Sequence, residues 1–176
     1  AIQKVAPELL TYSDKGKMTY SLHSAISDTN VAALTDIMRE ATLAEFRSEL
    51  ECARDISATS VTIHPGLFSL SVQGMNGRSI AKARESMKVL DSMSREYGVT
   101  LAVENMPIFM FMLGQKAADL DHIVDGTDLG ICFDIGHANT TGQIDEMIET
   151  FGDRIVNIHI HDNLGDSDAH MTIGEG

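Results

Sequence analysis

Short apolar runs alternate along the chain with longer segments in which apolar residues recur every three or four positions. Five runs have strand length: "MTYSLH" (18–23), "TSVTIH" (59–64), "VTLAVE" (99–104), "LGICFD" (129–134) and "IVNIHIH" (155–161). Between them, residues 32–56 carry Ala, Leu, Ile, Met and Phe at helical spacing. Residues 78–97 ("RSIAKARESMKVLDSMSREY") do the same and stop before Gly98, a plausible helix C-cap. Shorter helices are predicted over 115–124 and 143–150. The stretches 66–77, with three glycines, and 105–114, with Pro107 and several Met and Phe, read as loops. Strands alternating with helices predict β/α units on a parallel sheet, in a single domain spanning 1–176.

Successive strand residues point to opposite faces. Tyr20 and Leu22 therefore oppose Ser21 and His23. Val61 and Ile63 oppose Thr62 and His64, and Leu101 and Val103 oppose Ala102 and Glu104. Ile131 and Phe133 oppose Cys132 and Asp134, and Val156, Ile158 and Ile160 oppose Asn157, His159 and His161. Each strand puts bulky apolar residues on one face and small or polar ones on the other, with a metal-ligating type at its C-terminal end. An open doubly wound sheet buries both faces and has no use for a polar one. A (β/α)8 barrel does, because its outside packs on helices and its C-terminal mouth holds the active site. Five strands do not close such a barrel, which takes ~250 residues. The chain is therefore expected to be an incomplete TIM barrel with about five of eight strands, one strand preceding residue 1 and two following residue 176.

Composition narrows the choices. The net charge of −13 disfavours a phosphate backbone as the main partner, since few cations are available to displace counterions. No apolar run approaches the ~18 residues needed to span a membrane. Cys52 and Cys132 do not form a disulfide framework and are expected to be buried thiols in a reducing cytosol. The Met-rich stretch 106–113 is expected to pack in the core, cover the mouth or contact a second subunit of a homo-oligomer.

Six of the seven histidines fall at or just after strand ends: His23, His64, His137, His159, His161 and His170. His122 lies in a helical segment and is expected to be an ordinary surface residue. Imidazoles gathered with Glu104, Asp134 and Asp168 at one mouth are hard to desolvate without cations, and a divalent metal cluster is the economical solution. Mixed carboxylate and imidazole donors suit Zn, Mn, Fe or Co better than Ca, with Mg a weaker candidate. "DIGH" puts Asp134 at a strand tip and His137 in the loop beyond, and "DAH" offers Asp168 and His170 from one extended loop. His161 and Asp162 are expected to orient ligands through hydrogen bonds.

The runs "LHSAISDTNVAAL", "IHPG", "LAVENMP", "GICFDIGHANTTG" and "HIHDNLGDSDAHMTIGEG" resemble the xylose-isomerase-like TIM barrel superfamily, over residues 18–176. That group takes in sugar phosphate isomerases and epimerases and the endonuclease IV enzymes of DNA repair. The isomerase branch implies a metal held by Glu104, Asp134 and His159 plus a later glutamate that this chain lacks, with His137 binding substrate. The endonuclease branch implies a three-metal site on His23, His64, Glu104, Asp134, His137, His159, Asp168 and His170, with the same later glutamate. The expected function is a metal-dependent sugar or sugar-phosphate isomerase or epimerase, with Glu104 and His137 as catalytic residues and a carboxylate moving the proton. The alternative is a zinc-dependent abasic-site endonuclease acting on DNA. A non-enzymatic scaffold is disfavoured because every visible ligand position is filled.

Overall fold

In a computed structural model, residues 2–14, 16, 18–69 and 76–176 are described. Their order is α1 (Ile2–Asp14), β1 (Ser21–His23), α2 (Asp36–Asp55), β2 (Ser60–Ile63), α3 (Asn76–Tyr97), β3 (Thr100–Glu104), α4 (Ala117–Val124), β4 (Gly130–Asp134), α5 (Ile135–Thr141), α6 (Ile144–Phe151) and β5 (Ile155–His159). The strands form one parallel sheet in the order β1-β2-β3-β4-β5. Sequence neighbours pairing in sequence order, each through a crossover helix, is the arrangement of a barrel wall.

The wall is curled. Asn157 on β5 donates from its amide to the Thr62 hydroxyl on β2 at 3.2 Å, although two strands stand between them. Only a sheet wrapped around its polar face lets those side chains meet. The convex face carries Val61, Ile63, Leu101, Val103, Ile131 and Phe133, all buried. Onto it pack Phe46, Leu50 and Ala53 of α2, Ala83, Met87 and Leu90 of α3, and Leu120 and Ile123 of α4. The 3–4 residue spacing of these positions is the apolar stripe read in the sequence. Gly98 lies at φ +65°, ending α3 in the left-handed turn expected of it.

Several expectations are corrected. The predicted helix 32–56 begins only at Asp36, after a turn closed by the Ala33 N–H on the Asn30 carbonyl. The strands are shorter than predicted, so His64 and His161 lie just past β2 and β5. Helix α1 has no counterpart in the prediction. Pro7 lies inside it, and an interior proline reads as a breaker because it removes one backbone bond of the ladder. Residues 135–141 form helix α5 where a loop is expected, so His137 sits in a first helical turn rather than in a connection.

Where β5 pairs with β4, the register shifts between Ile131 and Cys132, which brings Val156 beside Gly130 and breaks the expected alternation with Asn157. Val156, Ile158 and Ile160 are 50%, 52% and 60% exposed on this edge strand of the described sheet. Of the loop expected over 66–77, residues 70–75 lie outside the described residues, and 76–77 open α3. The 105–114 loop pairs with what remains, through Phe68 N–H to Phe111 O and Leu113 N–H to Gly66 O. Cys132 is buried and Cys52 only half-buried, both as free thiols. Among the described residues no helix is long and apolar enough to cross a membrane.

Candidate metal centre

His23, Glu104, Asp134 and His159 each terminate a strand at the same end of the sheet. With His64, His137, Asp168 and His170 they line one cavity of about 630 Å³, together with His161 and apolar residues such as Met106 and Ile158. All eight residues assigned as ligands from the sequence thus come together. His122 does not. It is exposed on α4, beside Arg84 at 3.2 Å.

Glu104 is the hub and is 2% exposed. Its Oε2 accepts from His64 Nε2 at 3.1 Å and His23 Nε2 at 3.2 Å, and its Oε1 accepts from His159 Nδ1 at 2.6 Å. Burial alone would favour the neutral acid. The three imidazoles outweigh it and hold the carboxyl well below the usual carboxylate range. His159 is pushed up to about 10 by the Cys132 side chain and by Glu104. His23 is also raised, chiefly by Glu104, and its Nδ1 donates to the Ser24 carbonyl at 3.0 Å.

Asp134 has two tasks. Its Oδ1 accepts the His137 backbone N–H at 2.8 Å and so caps α5. Its Oδ2 stands 3.7 Å from His137 Nδ1 and 3.8 Å from His159 Nδ1. Burial raises its pKa against the opposing pull of the His137 N–H. Asn105 holds this corner together, and the sequence reading overlooked it. Its side chain donates to the Asp134 carbonyl at 2.9 Å and accepts the Asp134 N–H at 2.8 Å. Its own carbonyl accepts from His137 Nδ1 at 2.8 Å, which fixes that tautomer and leaves Nε2 facing Asp168 Oδ2 at 3.4 Å. The available signal was a polar side chain directly after a strand-end ligand and two residues before Pro107.

Asp168 and His170 come from a loop that is folded back rather than extended. Asp162 and Met171 exchange backbone hydrogen bonds of 3.0 and 2.7 Å. The Asp162 Oδ2 accepts the Gly174 N–H at 2.7 Å and the Gly176 N–H at 3.1 Å, and these bonds lower its pKa. His170 adopts φ +48° at the turn.

The donor sets suit a divalent cation. His23, Glu104 and His159 bring one ligand atom each within 4.8 Å of one another. Glu104, Asp134 and His137 do so too, as do His137, His161, Asp168 and His170. No Lys or Arg lines the cavity among the described residues, so the buried carboxylates have only imidazoles to neutralise them. The His161 ring has both nitrogens without a hydrogen-bond partner. Carboxylate oxygens and imidazole nitrogens converging around such an orphan are the chemistry a transition-metal ion satisfies.

A curled wall of parallel β/α units, with His, Asp and Glu side chains gathered at the strand ends, defines the chain as part of a TIM barrel. It belongs to the xylose isomerase-like TIM barrel family, whose model matches residues 2–176. An uncharacterized protein of Methanocaldococcus jannaschii is 34% identical over 178 residues, covering 96% of this chain and 59% of the relative. A probable endonuclease 4 of Thermoplasma volcanium is 29% identical over 163 residues, covering 84% of this chain and 55% of the relative. A solved D-tagatose 3-epimerase-like protein superposes with a TM-score of 0.92 at 32% identity, covering 98% of this chain and 67% of that one. The chain spans between half and two thirds of the length of such curated relatives, in keeping with an incomplete barrel.

Proposed function

We infer that the chain supplies the metal-holding half of a divalent-metal-dependent isomerase or epimerase acting on a small neutral sugar. The observation that carries this is the lining of the mouth. Carboxylates, imidazoles and apolar side chains line a cavity of about 630 Å³, with no Lys or Arg among the described residues to grip a phosphate. Zn or Mn fits the donors best. When bound on Glu104, Asp134 and His159, the metal would polarise a substrate carbonyl and acidify the neighbouring C–H.

The chain's own residues do the rest. Glu104, at the cavity floor, takes the proton from the carbon beside the carbonyl. His137, with its tautomer fixed by Asn105, presents a bare Nε2 that accepts a hydrogen bond from a substrate hydroxyl. Met106, Met112 and Ile158 give the cavity an apolar side that limits water at the reacting carbon. Return of the proton to the opposite face requires a second acid, assigned here to the later glutamate of the complete barrel.

A second reading has specific support. The donor sets can serve more than one ion, and the Thermoplasma volcanium relative is named a probable endonuclease 4. One experiment separates the two. The full-length protein, loaded with Zn or Mn, is incubated with a panel of ketoses in deuterated water and, in parallel, with abasic-site DNA. Deuterium entering the carbon beside the carbonyl is expected, and Glu104→Gln should abolish that exchange while leaving the circular-dichroism spectrum unchanged. Nicking of abasic DNA at catalytic enzyme concentrations, without sugar exchange, would overturn the proposal. So would wild-type-like exchange in the Glu104→Gln variant.

A further inference from the structure

Beside the mouth lies a smaller cavity of about 80 Å³. Ile26, His64 and Met112 line both, so the smaller one is a side pocket of the larger. His64 is the shared wall nearest the chemistry, since its Nε2 stands 3.1 Å from Glu104 Oε2. The rest of the side pocket is walled by Val31 and Phe46, both buried, and by Leu67 at its rim. Among the described residues no Asp, Glu, Lys or Arg lines it.

Thr29 and Asn30 also line the pocket, and their side chains are engaged by backbone. The Thr29 hydroxyl donates to the Ala25 carbonyl at 2.7 Å. Asn30 Oδ1 accepts the Ala32 and Leu67 N–H groups at 3.0 and 2.9 Å, and Asn30 Nδ2 donates to the Leu67 carbonyl at 3.2 Å. The surface left for a ligand is that of Ile26, Val31, Phe46, Leu67 and Met112. The same bonds brace the walls. Asn30 ties the loop after β1 to the loop after β2, and the Leu113 N–H joins the loop after β3 to them through the Gly66 carbonyl at 3.0 Å. Gly66, at φ +105°, lets these loops close, because a Cβ there would stand 2.8 Å from Ala32 Cβ and 2.9 Å from Asn30 Oδ1. A pocket braced in this way is preformed, and filling it costs little ordering.

We propose that the side pocket receives the terminal methyl group of a deoxy sugar whose carbonyl end lies at Glu104. The proposal rests on the sugar reading of the mouth and narrows it. A hydroxymethyl group entering the pocket would give up hydrogen-bonded water for hydrocarbon, whereas a methyl group gains by the same transfer. A terminal phosphate would meet no cation there. The volume admits one small group and not a second sugar ring, since pockets that hold whole ligands run from about 300 Å³ upward. The substrate class is thus a free 6-deoxy ketose, or the aldose related to it, and Val31 and Leu67 determine that specificity.

The test uses full-length protein loaded with Mn or Zn in deuterated water. D-Fructose, D-tagatose and their L-enantiomers are each compared with the 6-deoxy counterpart, and kcat/KM is read from deuterium entry beside the carbonyl. An apolar pocket rejects an added hydroxyl by up to ~100-fold, so the 6-deoxy member of an accepted pair should react with at least about tenfold higher kcat/KM. Val31→Thr keeps the side-chain shape and puts a hydroxyl in the pocket. Leu67→Thr does so from the exposed rim, and serves where the buried change does not fold. In either variant the tenfold preference should fall towards equality. A merely structural defect would lower both members together and leave their ratio alone. Equal kcat/KM within every accepted pair, or an unchanged ratio in the folded variants, would overturn the side pocket and leave the sugar reading standing. Exchange with neither member of any pair would overturn that reading and the pocket with it.

Discussion

Asp134 shows how one side chain can serve structure and chemistry together. Its Oδ1 caps α5, and its Oδ2 faces the imidazoles of His137 and His159. The two roles separate by substitution. Asn is as good an N-cap as Asp, whereas Ala is not. Asp134→Asn should therefore keep α5 and lose metal affinity, while Asp134→Ala should lose both and be less stable than Asp134→Asn by about 1 kcal/mol. Thermal melts of the metal-free variants, paired with metal titrations, check this. Equal stability of the two would show that the cap bond contributes nothing. Residue types were the most legible level of the sequence. The eight assigned ligands meet in one cavity because strand parity and strand ends fix where side chains go. Asn105 and the burial of His161 were not legible. Both depend on contacts between segments distant in sequence, Asn105 with Asp134 and His161 with Gly136.

At the scale of elements, the strands and long helices followed from period alone, and the misses have local causes. Helix α5 holds Gly136, Asn139, Thr140 and Thr141, all weak helix formers, and is sustained by its two ends. Asp134 caps the start, and Gly142 at φ +64° closes the other end. Pro7 hid α1 in the same way. The loop 162–176 has no period to read at all. Its shape comes from Asp162, whose carboxylate gathers the N–H groups of Asn163, Gly174 and Gly176. Asp162→Ala should release the loop. Backbone amides of 163–176 should exchange hydrogen faster while those of β3 and β4 stay protected, as read by hydrogen-exchange mass spectrometry. Unchanged exchange in the loop would show that the Asp162–Met171 pairing holds it without the carboxylate.

For the molecule as a whole, the charges at the mouth set a pH window for the metal-free state. Glu104 is depressed, so its contribution is present above its ordinary value of 4.5 and is lost as pH falls through its folded value. His159 and His23 are raised, so theirs is present below 6.5 and fades as pH climbs, for His159 towards about 10. Asp134, raised by burial, works against the window at its acid edge. Metal-free protein should therefore melt highest between roughly pH 4.5 and 6.5 and lower on either side. Bound metal should move the optimum upward, because it displaces protons from the imidazoles. Melting curves with and without chelator across this range test the sign. A metal-free optimum on the alkaline side would mean that the imidazoles are not paired with Glu104 in solution.

The exposed apolar residues of the edge strand β5 have a consequence for handling. Val156, Ile158 and Ile160 make a greasy seam beside an unpaired row of backbone donors and acceptors. Such a border invites another chain to add its own strand. The chain should thus grow stickier with concentration, with that seam as the point of contact.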